Sequence, residues 1–182
     1  VLEASPVIRA MHLVTACLLA GVLWFMFTKC TKVQREQMFV VIALIVLGLI
    51  FFALYEQTYG SWVLFSDRVM NHGALGVEWT ASELTSLGAF FILILAPFFA
   101  WLYPRLDARG INPSTPAKSA YGLILAGVAF LVLVGSARHP DANGLTNIWW
   151  FVFAYFVLEV GEMLLSPIGL SAVTELSVPS VV

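Results

Sequence analysis

Three carboxylates stand where carboxylates are costly. Glu56 lies in the run Phe51-Phe52-Ala53-Leu54-Tyr55-Glu56-Gln57-Thr58-Tyr59-Gly60. Glu159 and Glu162 lie in Val157-Leu158-Glu159-Val160-Gly161-Glu162-Met163-Leu164-Leu165-Ser166-Pro167. A charged side chain near the centre of a bilayer costs about 2.5–3.5 kcal/mol even on the mild insertion scales, so such a group faces a partner or a wet cavity. Burial favours the neutral carboxyl and a nearby cation favours the ionised one. A carboxyl held between those influences can bind and release a proton.

Glu162, near the middle of its run, reads as such a group. Glu56 reads the same way, unless it reaches the solvated outer interface. Glu159 is one turn from Glu162 on roughly the same face. It is either a supporting carboxylate or a solvated one nearer the outer end. Glu175 reads as solvated. Pro167 lacks a backbone donor and predicts a kink just after Glu162. Gly161 and Gly169 flank the kink and allow close backbone approach. Pro97 marks a second kink.

Other chemistry is missing from the sequence. There is no Ser/His/Asp set, no phosphate loop, and no Cys/His spacing for a metal, so neither an enzyme, a cofactor nor a metal is expected. His12 reads as packed or interfacial, and His72 and His139 fall in loops. Cys17 and Cys30 read as free thiols, because 13 residues of helix would hold them ~20 Å apart. A membrane enzyme would need a nucleophile–base or metal set. A structural membrane subunit would leave both Glu56 and Glu162 without a role.

The elements that must position the carboxylates are apolar helices. Of the 182 residues, 60% are hydrophobic and 11% charged, and mean hydropathy is +0.93. A soluble domain carries about 25% charged residues, so lipid must be the outer solvent here. The nine basic residues form no face that could track a nucleic acid. Five apolar stretches approach or exceed the ~20 residues that cross a bilayer. They cover about 7–28, 38–65, 82–103, 117–137 and 148–173. The fold class is therefore an all-α membrane protein. Thr80-Ala81-Ser82-Glu83 is a capping box for the third helix. Thr115-Pro116 is the expected start of the fourth, and Thr146 or Asn147 that of the fifth.

The first stretch lacks a basic start and is followed by Lys29 and Lys32, so it reads as a spanning helix rather than a signal peptide. Six basic residues (Lys29, Lys32, Arg35, Arg105, Arg109, Lys118) fall on one side and three (Arg9, Arg68, Arg138) on the other. That bias puts the first and third connections in the cytoplasm. The chain opens on Val1-Leu2-Glu3 and closes on Val181-Val182, which reads as the interior of a longer protein.

Two stretches resemble the proton-dependent oligopeptide transporters of the major facilitator superfamily. Phe51-Phe52-x-x-x-Glu56-Gln57, followed by Leu64-Phe65-Ser66-Asp67-Arg68, is similar to the family's seventh helix. Gly161-Glu162-Met163-Leu164-Leu165-Ser166-Pro167-Ile168-Gly169-Leu170-Ser171 is similar to its tenth, and this second match is highly specific. Leu95–Leu102 and Lys118–Leu123 resemble the end of the eighth helix and the start of the ninth. The resemblance implies a partial major facilitator fold. Residues 1–32 would hold an extra helix between the halves and a cytoplasmic loop, and 33–182 helices seven to ten of the C-terminal bundle.

It also implies roles. Glu56 and Glu162 would couple protons. Phe52, Glu56, Gly88, Glu162 and Ser166 would line the substrate site. Glu56 would pair with an Arg, and Glu162 with a Lys, both supplied by the N-terminal half that this chain lacks. The implied partners are a di- or tripeptide, protons, the lipid bilayer and that missing half. The implied location is multi-pass in a bacterial inner membrane. The family usually has Asn-Pro where this chain has Gly88-Ala89, and Trp where it has Phe52. Another small organic substrate, or nitrate, on the same fold is the alternative.

Overall fold

The computed structural model describes the backbone of residues 6–74 and 77–176, with side chains up to Leu165. The helices are α1 (Pro6–Lys29), α2 (Lys32–Tyr55), α3 (Ser61–Val69), α4 (Ala81–Leu84), α5 (Leu87–Ala108), α6 (Thr115–Ser136) and α7 (Ile148–Leu176). Together they make five stretches long and apolar enough to cross a membrane, as the sequence predicts. The second expected span is interrupted. Residues Glu56–Tyr59 form a 3-10 turn between α2 and α3, and Gly60 leaves helical geometry at φ −115°, ψ −92°. Thr, Tyr and Gly are poor helix formers, and a tighter 3-10 segment is a common outcome in such a stretch.

The helix ends follow local chemistry. Thr31 and Gln34 form a capping box for α2 that the sequence reading missed: the Thr31 hydroxyl accepts from the Gln34 N–H, and the Gln34 side chain from the Thr31 N–H. Thr80 and Glu83 form the expected box, but it opens only the single turn of α4, and α5 begins after Thr85-Ser86. Ser114, not Thr115, occupies the cap position of α6, which puts Pro116 in the first turn. At α7 the Asn147 side chain accepts from the Trp149 N–H at 2.9 Å. Thr146 instead donates to the Val69 carbonyl at 3.3 Å. That bond accompanies a short parallel pairing of β1 (Met70–Asn71) with β2 (Thr146–Asn147). In the loop before it, the exposed Asp141 carboxylate accepts from the Asn143 and Leu145 N–H groups. Those donors hold its pKa below the usual carboxylate value.

Packing centres on α6 and α7. The buried positions of α6 are Lys118, Ser119, Gly122, Ala126, Ala129, Leu133 and Ser136, a three-and-four spacing that lays mostly small residues along one face. A Cβ on Gly122 would lie 2.7 Å from the Gly161 carbonyl oxygen, and one on Gly161 would lie 2.8 Å from that of Gly122. The two backbones touch there, as small residues permit in lipid. Trp62 of α3 closes one end of the core, with its ring 5.0 Å from Tyr155, 5.4 Å from Phe130 and 5.7 Å from Phe151. By contrast α1 buries only Met26 and meets α2 at their shared corner, where Arg35 donates to the Phe27 carbonyl at 3.1 Å.

α7 runs as helix through Ser166-Pro167 to Leu176. Pro167 has no N–H for the carbonyl of Met163, four residues earlier. The Tyr103 hydroxyl of α5 donates to that carbonyl at 3.0 Å. A neighbouring helix thus satisfies what proline leaves open. Tyr103 is itself braced by Lys118, whose ammonium lies 4.3 Å from the ring centroid.

Two substitutions test this packing by thermal unfolding of the full-length protein in detergent. Tyr103→Phe, which orphans the Met163 carbonyl, is expected to cost about 1–3 kcal/mol. Gly122→Val should cost a similar ~1–3 kcal/mol by overpacking, since its Cβ meets backbone rather than a movable side chain.

Candidate functional site

The acidic residues do not share one environment. Glu56 is exposed on the 3-10 turn where α2 ends. Glu162 is half-buried on α7. Glu159 is fully enclosed, at 0% exposure. Of the two readings open for Glu159, the solvated one is excluded. Depth along the helix suggested that Glu162 would be the more buried, but rotation about the axis decides it. Three residues turn a helix by about 300°. Glu159 therefore faces the seam between α2 and α5, and Glu162 lies about 60° to the side.

Three helices supply the walls around Glu159. From α2, Tyr55 donates its hydroxyl to Glu159 Oε1 at 3.2 Å. From α5, Gly88 supplies empty space. A Cβ there would fall 2.8 Å from Glu159 Oε1 and 3.4 Å from the Tyr55 hydroxyl. On α7 itself, Glu162 lies three residues on from Glu159, a spacing at which helical side chains are neighbours. Oε2 of each is buried and accepts from no described residue. An ionised carboxylate only accepts, whereas a protonated one also donates. The pair is thus a set of facing acceptors that can hold a proton or a cation.

The other expected site residues are placed as follows. Phe52 is 42% exposed, with its ring edge-on to Phe51 at 5.5 Å. Phe51, its neighbour, is the buried one and stacks on Tyr55 at 6.2 Å. Gly88 is buried against Glu159 and Tyr55. Among the described residues no hydrogen bond joins Glu56 to Glu162. The side chain of Ser166, like that of Glu175, lies outside the described residues. Sequence reasoning missed Tyr55. Its signal was a phenol in an apolar run beside Glu56, together with a glycine at position 88 that could admit another side chain.

The POT family model matches residues 4–182. The chain is 33% identical over 164 residues to "Dipeptide and tripeptide permease B" of Xenorhabdus bovienii, covering 90% of this chain and 33% of that protein. It is 31% identical over 183 residues to "Peptide transporter YePEPT" of Yersinia enterocolitica, covering 97% of this chain and 36% of that protein. The chain thus spans about a third of the length of the curated relatives it matches. Among solved structures, a peptide transporter POT in complex with sulfate superposes with a TM-score of 0.78 at 28% identity, covering 98% of this chain and 36% of that one. A mutant of a peptide transporter POT in complex with alafosfalin gives 0.76 at 28% identity, covering 97% and 42%. These neighbours carry the major facilitator type of fold.

The fit of Gly88 to Glu159 is testable by a double-mutant cycle on thermal stability. Gly88→Ala alone should destabilise, because the Glu159 carboxylate must leave Tyr55. In a Glu159→Ala background the same change should cost less, giving a coupling of about 0.5–3 kcal/mol. Additive effects would show that Gly88 and Glu159 do not constrain each other.

Proposed function

The chain belongs to the POT family, and from that premise we propose that it forms part of a proton-coupled symporter of di- and tripeptides. The observation that carries this reading is Glu162. It is half-buried on a membrane helix, so its side chain can be reached by a group from beyond this chain. A carboxyl so placed suits the amino group of a peptide or a cationic side chain from the rest of the protein. Glu56 suits the second task. Exposed where α2 ends, it is open to a cation from outside this chain. Protonation of Glu56 would release that cation and shift the balance between outward-open and inward-open states. Phe52 and Ser166 would line the same route.

The driving force would be the proton gradient, in which each charge moved through 100 mV contributes about 2.3 kcal/mol. Residues 1–32 would form a helix between the two halves and its cytoplasmic loop, and 33–182 helices seven to ten. The location would be a bacterial inner membrane. The names of the relatives, dipeptide and tripeptide permease and peptide transporter, support peptide as the substrate class. A different small organic substrate, or nitrate, is favoured by one observation. Where the family has an Asn, Gly88 is filled by the Glu159 carboxyl, which changes the pocket wall.

The test is uptake by the full-length protein in vesicles with an imposed inward proton gradient. Labelled di- and tripeptides should accumulate, and nitrate and sugars should not. Glu56→Gln and Glu162→Gln should each reduce accumulation to the level of protein-free vesicles. Retained gradient-driven uptake in both variants would contradict the assignment of these carboxylates.

A further inference from the structure

Glu159 has no role in the reading above, yet it is the most enclosed charged side chain among the described residues. It is closed off within this chain. Tyr55 of α2 reaches one oxygen. α5 offers only Gly88. The titratable groups that act on it are Tyr55, and on its own helix Glu162 and Tyr155; none is a cation. At 0% exposure, it leaves no surface for a Lys or Arg from another part of the protein to approach. Glu162, half-exposed, does leave one. Two carboxylates at neighbouring positions on one helix, each with a buried oxygen that receives no donor, repel when both are ionised. A single proton between them removes the repulsion and supplies the missing donor.

We propose that Glu159 and Glu162 hold one proton between them, so that the proton-binding group of α7 is a carboxyl pair rather than Glu162 alone. Gly88 and Tyr55 are positioning residues for this pair. The glycine leaves the volume that Glu159 fills, and the phenol holds its Oε1. The pair then carries one proton and one negative charge between its two carboxyls. Interacting sites of this kind titrate as a unit, not residue by residue. The proposal deepens the reading of Glu162 as a proton-coupling group, but its test does not depend on transport.

The experiment is infrared difference spectroscopy of the purified full-length protein at neutral pH, read in the carbonyl stretch of protonated carboxyl groups. Wild type minus Glu159→Gln should show the loss of one carboxylic-acid band. Wild type minus Glu162→Gln should show the loss of the same band, since either partner is needed to hold the proton. Tyr55→Phe should keep the band and move its frequency, because a hydrogen bond to the pair is lost. Both glutamines are isosteric with the residues they replace, and thermal unfolding checks that each variant folds. A band that survives in Glu162→Gln overturns the sharing and assigns the proton to Glu159 alone. No difference in Glu159→Gln overturns the proposal outright. If the bands behave as expected but no peptide enters in the uptake assay, the pair stands and the transport reading fails.

Discussion

A carboxyl group shut in among lipid-facing helices has to be served by what those helices carry, because neither water nor headgroup can reach it. Glu159 imposes that condition on three elements at once. α5 can have no side chain at position 88, α2 must turn the Tyr55 hydroxyl inward, and the rotation of α7 about its axis is fixed. Once that rotation is set, Glu162 can lie only at the edge of the seam, half-buried and open to a group from beyond this chain. The residue that meets the outside is therefore positioned by one that does not.

The same condition governs the backbone of α7. Pro167 takes away a donor, and Tyr103 replaces it at the Met163 carbonyl. Nearly two turns before the proline, Gly161 lies against the Gly122 backbone with no room for a methyl group. α7 is thus held on three sides, by Tyr55 and Gly88, by Tyr103, and by the small-residue face of α6. Each contact is polar or backbone-close rather than a greasy interface, which could slide in a solvent as apolar as itself. A helix that carries the carboxylates and the proline has few rotations open to it, and a change of protonation on one face bears directly on its fit to the others.

The sequence disclosed most of the architecture, for reasons that are local. Five long apolar runs, the Thr80–Glu83 box and the Gly-Glu-Met-Leu-Leu-Ser-Pro stretch each carry their meaning in consecutive residues. What depends on rotation or on distant partners was not legible. Glu159 and Glu162 have the same residue type and nearly the same depth, and only the packing of α2 and α5 separates the buried one from the open one. The substitution at Gly88 read as a loss of the family's pattern, because nothing in the chain near position 88 says that a carboxyl 71 residues later fills the gap. Nothing near Pro167 says that the carbonyl it leaves open, on Met163, is met by a tyrosine 60 residues earlier. The interruption at Glu56–Tyr59 was foreshadowed by Thr58, Tyr59 and Gly60, but a hydropathy window averages over them.

The account stands on proton entry being tied to peptide entry through the α7 and Glu56 carboxyls. The most direct measurement follows the internal pH of vesicles that hold the full-length protein at equal pH on both sides, clamped electrically, when a dipeptide is added outside. The account predicts internal acidification that starts with the peptide and is absent without it. Peptide that enters with no acidification would contradict it.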